Sequence, residues 1–145
     1  MATPVAQNSS QSEKYVVVSN CGTLEELHRS LAEEAQVSIT VTVDDPATAV
    51  DTGEKTAIPE ATQKQIISKI EAAYQPVIAE AKATVEQTIL TIPGQRVYHF
   101  YIKWKRQSYR SEITFNLNGK PYSTQYTCAV DTPEASMSAQ LICTG

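Results

Sequence analysis

Glycine-rich loops, metal-ligand motifs and catalytic motifs are all missing from this sequence of 145 residues. The five glycines stand singly, so no phosphate-binding loop is present. The three cysteines and two histidines form no CxxC pair and no spacing that would hold zinc. No serine lies in a GxSxG motif. The sequence therefore predicts no catalytic residue, no metal site and no cofactor.

Long apolar runs are missing too, which excludes a membrane-spanning helix of roughly 18 residues. The apolar content of 41% is nevertheless enough for one core in a chain of this length. We expect a disordered lead over residues 1–14 and a single domain over residues 15–145. The lead has no basic and apolar regions of a signal peptide. Abundant Ser, Thr and Gln with little Lys favour an exported protein over a cytoplasmic one.

The cysteines leave two interpretations open. Cys128 and Cys143 are close in sequence, so one disulfide between them fits an oxidising compartment, with Cys21 left over. Alternatively, all three are buried thiols in a reducing compartment.

Charge is unevenly distributed along the chain. The net charge is −4, but residues 96–120 hold six Lys/Arg against a single acid, Glu112. Eight of the ten aromatic residues also lie between Tyr98 and Tyr126. A basic and aromatic segment can bind an anionic ligand, or it can be a sheet with an aromatic core and a charged wet face. The acidic overall balance disfavours nucleic acid as the partner.

The segment from 96 to 130 predicts a three-stranded antiparallel meander. Apolar and polar residues alternate over 96–105, 109–117 and 120–130, as in strands with one buried face. Asn118-Gly119 predicts a type I′ hairpin turn, and a second turn is expected near Arg106-Gln107.

The rest of the chain predicts an α+β fold. A strand at 15–18, an amphipathic helix at 24–35 with a Thr23–Glu26 capping box, and a strand at 37–43 form an N-terminal β-α-β segment. Residues 44–57 are expected to be an exposed loop. An apolar stripe predicts a long helix, broken at Pro76 into 60–74 and 76–90, that packs on the meander. Residues 131–145 fit either a helix start or a short strand.

The polar face of the meander is the candidate binding site. With the two expected turns, Lys103 lies opposite Arg110, and His99 lies diagonal to Glu112. Like charges side by side are unfavourable unless an anion bridges them. The predicted binding residues are His99, Tyr101, Lys103, Lys105, Arg110 and Glu112.

Three functions are compatible with this pattern. The first is a non-enzymatic interaction module that uses the basic polar face or the edge of the meander to bind an anionic partner or a protein surface. The second is a small-ligand-binding or inhibitor-like domain with a pocket between helix and sheet. The third is a small enzyme in which His99 and Glu112 act as acid and base. The sequence favours the first.

Overall fold

Strands rather than helices dominate the fold, which is α+β with a mostly antiparallel sheet. The computed structural model describes residues 3–144, with side chains from Glu13 onward. Over this range the strands are β1 (Thr3–Asn20), β2 (Leu27–Ser30), β3 (Ser38–Val43), β4 (Ala47–Ala49), β5 (Lys55–Thr56), β6 (Ile89–Ile92), β7 (Arg96–Leu117) and β8 (Lys120–Ile142). The helices are α1 (Glu60–Ala73) and α2 (Gln75–Gln87). No helix in this range is both long and apolar enough to cross a bilayer.

The chain divides into two compact units. The first unit comprises residues 39–76 and 107–130, together with the first residues of β1. The second comprises residues 8–38 and 77–106, together with the chain from Asp131 onward. The large sheet has the strand order β1-β7-β8-β4-β5, and β3 also pairs with β8. The expectation of a single domain over residues 15–145 stays a prediction.

In the first unit, β4 pairs antiparallel with β5 and with β8, where Thr48 lies opposite Ser123. These two strands lie inside the segment 44–57, so the prediction of a loop there is wrong in part. Helix α1 begins directly after Pro59. Two buried tyrosines, Tyr74 and Tyr126, join their hydroxyls at 3.0 Å. The other buried residues of this unit include Ile58, Ile66, Ile70, Tyr109, Tyr122, Cys128 and Val130.

The second unit has a core of aliphatic side chains and one phenylalanine. It draws on β1, β6, β7, α2 and the residues that follow β2: Val16, Val18, Leu31, Ala35, Val85, Leu90, Ile92, Phe100 and Ile102. Tyr98 and Trp104 are partly buried against this cluster. The prediction that Phe100 and Ile102 lie on the dry face of their strand is confirmed, because both are buried.

The predicted helix at 24–35 is wrong. Residues 27–30 pair with β6, and Leu27 lies opposite Ile92. A short 3-10 turn follows at Leu31–Glu33 and carries the capping box, formed by Ser30 and Glu33. Helical spacing of leucines was therefore overridden by strand pairing with a segment distant in sequence, which no local pattern encodes.

A long hairpin of β7 and β8 replaces the predicted meander. Asn118 and Gly119 both have positive φ, which confirms the predicted type I′ turn. The turn expected near Arg106-Gln107 is wrong, since β7 continues through it. The more buried residues are even-numbered from Tyr98 to Trp104 and odd-numbered from Tyr109 onward. Because the buried residues change from even-numbered to odd-numbered within β7, its sequence has the pattern expected of two strands joined by a turn. Residues 131–142 continue β8.

Other predicted elements are present with small shifts. The two helices are confirmed, and Pro76 lies in the first turn of α2, where a missing N–H breaks no bond. The strands at 15–18 and 37–43 are confirmed within β1 and as β3. That the two helices share one apolar face against a sheet stays a prediction. So does the disordered lead, although β1 begins at Thr3.

The predicted disulfide partner is also wrong. Cys143 is bonded to Cys21, with Cα atoms 5.9 Å apart, and Cys128 is a buried free thiol. Because the chain between Cys128 and Cys143 is an extended strand to Ile142, the two residues lie far apart along it. A disulfide between Cys128 and Cys143 would require the chain to turn back between them, and it does not.

Candidate binding surface

One face of the sheet in the second unit carries most of the predicted binding residues. In β1 the side chains of Val16 and Val18 are buried, whereas Tyr15 between them points outward and is 49% exposed. In β7 the same alternation buries Phe100 and Ile102 and leaves Tyr101 and Lys103 exposed. We call this the outer face and define it by Glu13, Tyr15, His99, Tyr101, Lys103 and Lys105.

An aromatic cluster occupies the outer face. The rings of Tyr15 and Tyr101 lie with centroids 4.9 Å apart, and the Tyr15 and His99 rings meet edge to face at 5.5 Å. The Tyr15 hydroxyl also forms a hydrogen bond with Nδ1 of His99. Tyr101 remains 44% exposed. Two neighbouring strands thus hold three rings against one another while leaving much of their surface in water.

Most of the cations in the basic segment are paired with carboxylates. Lys103 Nζ lies 3.3 Å from Glu13, and Lys105 Nζ lies 3.5 Å from Glu134. These pairs are well exposed, so each contributes little to stability. The outer face therefore presents charges of both signs rather than a basic patch.

Arg106 forms the most enclosed of these pairs. Its Nε and Nη2 atoms donate to the two carboxylate oxygens of Asp131 at 2.8 and 2.9 Å. The carboxylate is buried, and its hydrogen bonds and charge raise the pKa of Arg106 above its usual range. Neither residue belongs to the outer face, and the pair is structural.

Arg110 and Glu112 lie in the first unit, apart from the other predicted residues. Arg110 donates to Asp44 at 2.7 Å, and also to Gln125 and Thr127. Glu112 is exposed and lines a shallow polar cleft of about 250 Å3 that also includes Asp44. Since residues 96–117 form one strand, the expected pairing of Lys103 with Arg110 and of His99 with Glu112 is wrong.

Two open clefts lie in the second unit. The larger has a volume of about 460 Å3 and is bounded by Trp104 on one side and residues 32–36 on the other, with Lys14 and Asp131 at its rim. The indole Nε1 of Trp104 donates to the carbonyl of Gln36 at 2.9 Å. The smaller, of about 370 Å3, lies between residues 32–37 and α2.

The free thiol and the buried tyrosines of the first unit are poorly suited to chemistry. Burial, with the nearby Glu71 carboxylate adding to it, raises the pKa of Cys128 to about 11. Burial and the hydrogen bond between the Tyr74 and Tyr126 hydroxyls also raise the pKa of Tyr74. Both groups are thus held in their neutral forms at physiological pH.

Two residues of the outer face, and the ion-pair partner of a third, were missed from the sequence. Glu13 and Tyr15 belong to β1, and Glu134 to the end of β8, neither of which was expected beside the basic segment. The run Tyr15-Val16-Val17-Val18 is apolar throughout, so it predicts a strand buried on both sides. The alternating charges at Glu13 and Lys14 were the one available sign that only one side is dry.

No group of three His, Cys, Asp or Glu side chains comes together as a metal site in the part of the chain whose side chains are described. No family model, no curated protein and no solved structure matches this chain.

Proposed function

We propose that the protein is a non-enzymatic interaction module that binds a partner protein through its outer face. The single observation that carries this proposal is the exposed cluster of Tyr15, His99 and Tyr101. Tyrosine is enriched at the centres of protein interfaces, because it buries a large area and retains a polar tip.

The fixed position of these rings supports the proposal. Ring-to-ring contacts and the bond from Tyr15 to His99 hold the side chains in place before binding. Less conformational entropy is then lost when a partner covers them. Around the rings, the pairs Lys103–Glu13 and Lys105–Glu134 form a rim of mixed charge, which suits a protein surface better than a polyanion.

The proposal includes an oxidising compartment as the place of action. The disulfide between Cys21 and Cys143 supports it, because such bonds persist mainly outside the reducing cytosol.

A photo-crosslinking amino acid at Tyr101 tests the proposal. We expect it to form a specific covalent adduct with one protein in extracts of the source cells, and expect Tyr15→Ser in the same chain to abolish it. The matched control carries the crosslinker at Lys69, an exposed position of α1. Adducts that are the same at both positions, or that ignore Tyr15→Ser, contradict the proposal.

The alternative to a protein partner is that the outer face binds an anionic one. Retention on heparin that falls steeply with salt, and that is lost in Lys103→Gln with Lys105→Gln, indicates a polyanion and replaces the protein partner.

The cleft beside Trp104 supports a second candidate function, the binding of a small molecule. Its volume lies in the usual range of ligand sites. Because Trp104 is the only tryptophan, its fluorescence reports directly on the cleft. Energy transfer to anilinonaphthalene sulfonate that saturates, and that Ser38→Phe blocks by filling the cleft, favours this function.

A further inference from the structure

The last part of β8 has one edge that no other strand covers. In the sheet order, β8 has β7 on one side and β3 and β4 on the other. Strand β4 meets β8 at Tyr122 and Ser123, and Asp44, directly after β3, bonds to Gln125. Since β3 has six residues, it can cover β8 only to about residue 131. Over residues 134–142, the second edge of β8 has no strand neighbour in the described chain.

Odd-numbered residues of β8 direct their backbone groups toward this edge. The carbonyls of Pro121 and Gln125 accept from Val50 and Asp44, which lie on the side away from β7. The backbone of a strand alternates with a period of two. By the same alternation we expect the N–H and C=O groups of Ala135, Met137, Ala139 and Leu141 to face outward. The alternation ends at Cys143, whose N–H donates to the carbonyl of Gln95 beside β7. This segment therefore offers a row of unsatisfied hydrogen-bonding groups.

The edge lacks the features that normally prevent strand pairing. Residues 135–142 contain no charge and no proline. The opposite edge of the sheet, β1, carries Glu13 and Lys14, and Lys14 donates across to the carbonyl of Glu34. Charged side chains of this kind protect an edge. The end of β8 has none of these features, and Met137 and Leu141 on it are 45% and 50% exposed.

We infer that residues 136–142 pair antiparallel with the same residues of a second copy of this chain, across a two-fold axis at Ala139. In this register Met137 of one copy faces Leu141 of the other, and Ser138 faces Gln140. Apolar side chains thus meet apolar ones, and a hydroxyl meets an amide. The small Ala139 meets its own copy at the axis. No like charges oppose each other, because the segment is uncharged.

The contact is a closed, isologous dimer. Each odd-numbered pair in the segment exchanges two backbone hydrogen bonds. This dimer uses the edge of the sheet and leaves the outer face free, so it extends the proposed function and does not depend on it. A protein that dimerises but binds no partner refutes only the interaction module.

Sedimentation equilibrium of the oxidised full-length chain over a concentration series tests the dimer. The wild type is expected to show reversible monomer–dimer association. Met137→Lys and Leu141→Glu should each be monomeric, because a charge then faces an apolar side chain. Mixing the two should restore a one-to-one dimer, since the introduced lysine faces the introduced glutamate in the proposed register only.

Two further variants keep the test decisive. Ala139→Pro removes an outward N–H without touching the bonds to β7, so it should abolish the dimer while circular dichroism stays unchanged. Gln65→Lys, on the exposed surface of α1, adds the same charge as Met137→Lys and should dimerise normally. A wild type that is monomeric at every concentration overturns the inference. So does a dimer that survives Ala139→Pro, or a mixture that stays monomeric.

Discussion

The guanidinium of Arg106 and the carboxylate of Asp131 are joined by two hydrogen bonds at 2.8 and 2.9 Å, and only the carboxylate is buried. They lie where β7 and β8 both change the parity of their buried residues. The two partners are therefore not equivalent. Loss of Arg106 leaves a buried carboxylate unpaired, whereas loss of the Asp131 charge leaves a half-exposed guanidinium unpaired.

We predict that Arg106→Met destabilises the protein more than Asp131→Asn does. The first leaves a buried carboxylate unpaired, which costs about 3–5 kcal/mol. The second leaves a guanidinium that water can reach, and costs about 1–3 kcal/mol. Urea unfolding of the two variants measures the difference. Equal losses would show that Asp131 is solvated when Arg106 is absent.

Trp104→Ala should cost about 2–4 kcal/mol, slightly less than truncation of a fully buried aromatic. The indole is only half-buried, and it packs against the core of the second unit. Trp104→Phe keeps most of this packing and loses the hydrogen bond to Gln36, so it should cost about 1 kcal/mol. Thermal unfolding of both variants checks the order. A loss of stability within error for Trp104→Ala would place the indole in solvent.

The cysteines make a prediction for intact mass. Under native conditions, alkylation before reduction should add no label, because Cys21 and Cys143 are bonded and Cys128 is buried. In urea one label should be added, and after reduction three. Cys143→Ser should lower stability by about 2–5 kcal/mol, as expected for a crosslink that closes most of the chain. A native thiol that reacts at once would contradict the burial of Cys128.

Alkaline pH should destabilise the protein through Cys128. Its pKa of about 11 in the folded state lies above the ordinary value of 9.0. The unfolded thiol therefore ionises first, and stability that is complete below pH 9 is lost as the pH rises toward 11. The loss due to this group is about 2–3 kcal/mol.

Cys128→Ala is the matched variant for this prediction. Its stability should fall less steeply than that of the wild type over the same pH range. Tyr74→Phe should instead remove the loss of stability that begins at higher pH, where an unfolded tyrosine ionises. Urea unfolding at a series of pH values measures both. Parallel curves for Cys128→Ala and the wild type would refute the assignment.

Charge reversal on the outer face should scarcely affect the fold. Lys103→Glu breaks one exposed pair with Glu13, so the expected cost is below about 1 kcal/mol. Arg110→Glu also removes hydrogen bonds to Gln125 and Thr127, and should cost about 1–2 kcal/mol. Chemical denaturation distinguishes them. Unfolding of the Lys103→Glu variant would mean that this face is buried.

Local patterns were sufficient for elements that local chemistry determines. Asn118-Gly119 predicts its turn, because both residues adopt positive φ with little strain. Pro76 marks the break between two helices, and the alternation around Phe100 identifies the dry face. These patterns were enough to predict the α+β class, and four of the six predicted binding residues lie on one face of the sheet.

The predictions that were wrong concern features that depend on contacts between distant segments of the chain. Leucines at 27 and 31 fit a helix, but β6 pairs with residues 27–30 and makes them a strand. The parity change in β7 is explained equally well by a turn, and only the partner strand decides between them. The bond between Cys21 and Cys143 joins residues 122 positions apart, which spacing cannot reveal.

That bond also changes what a single break in the backbone can do. A protease that cuts once anywhere between Cys21 and Cys143 adds one water and leaves the two pieces covalently attached. Electrophoresis without a reductant therefore shows a nicked molecule as one band of unchanged size.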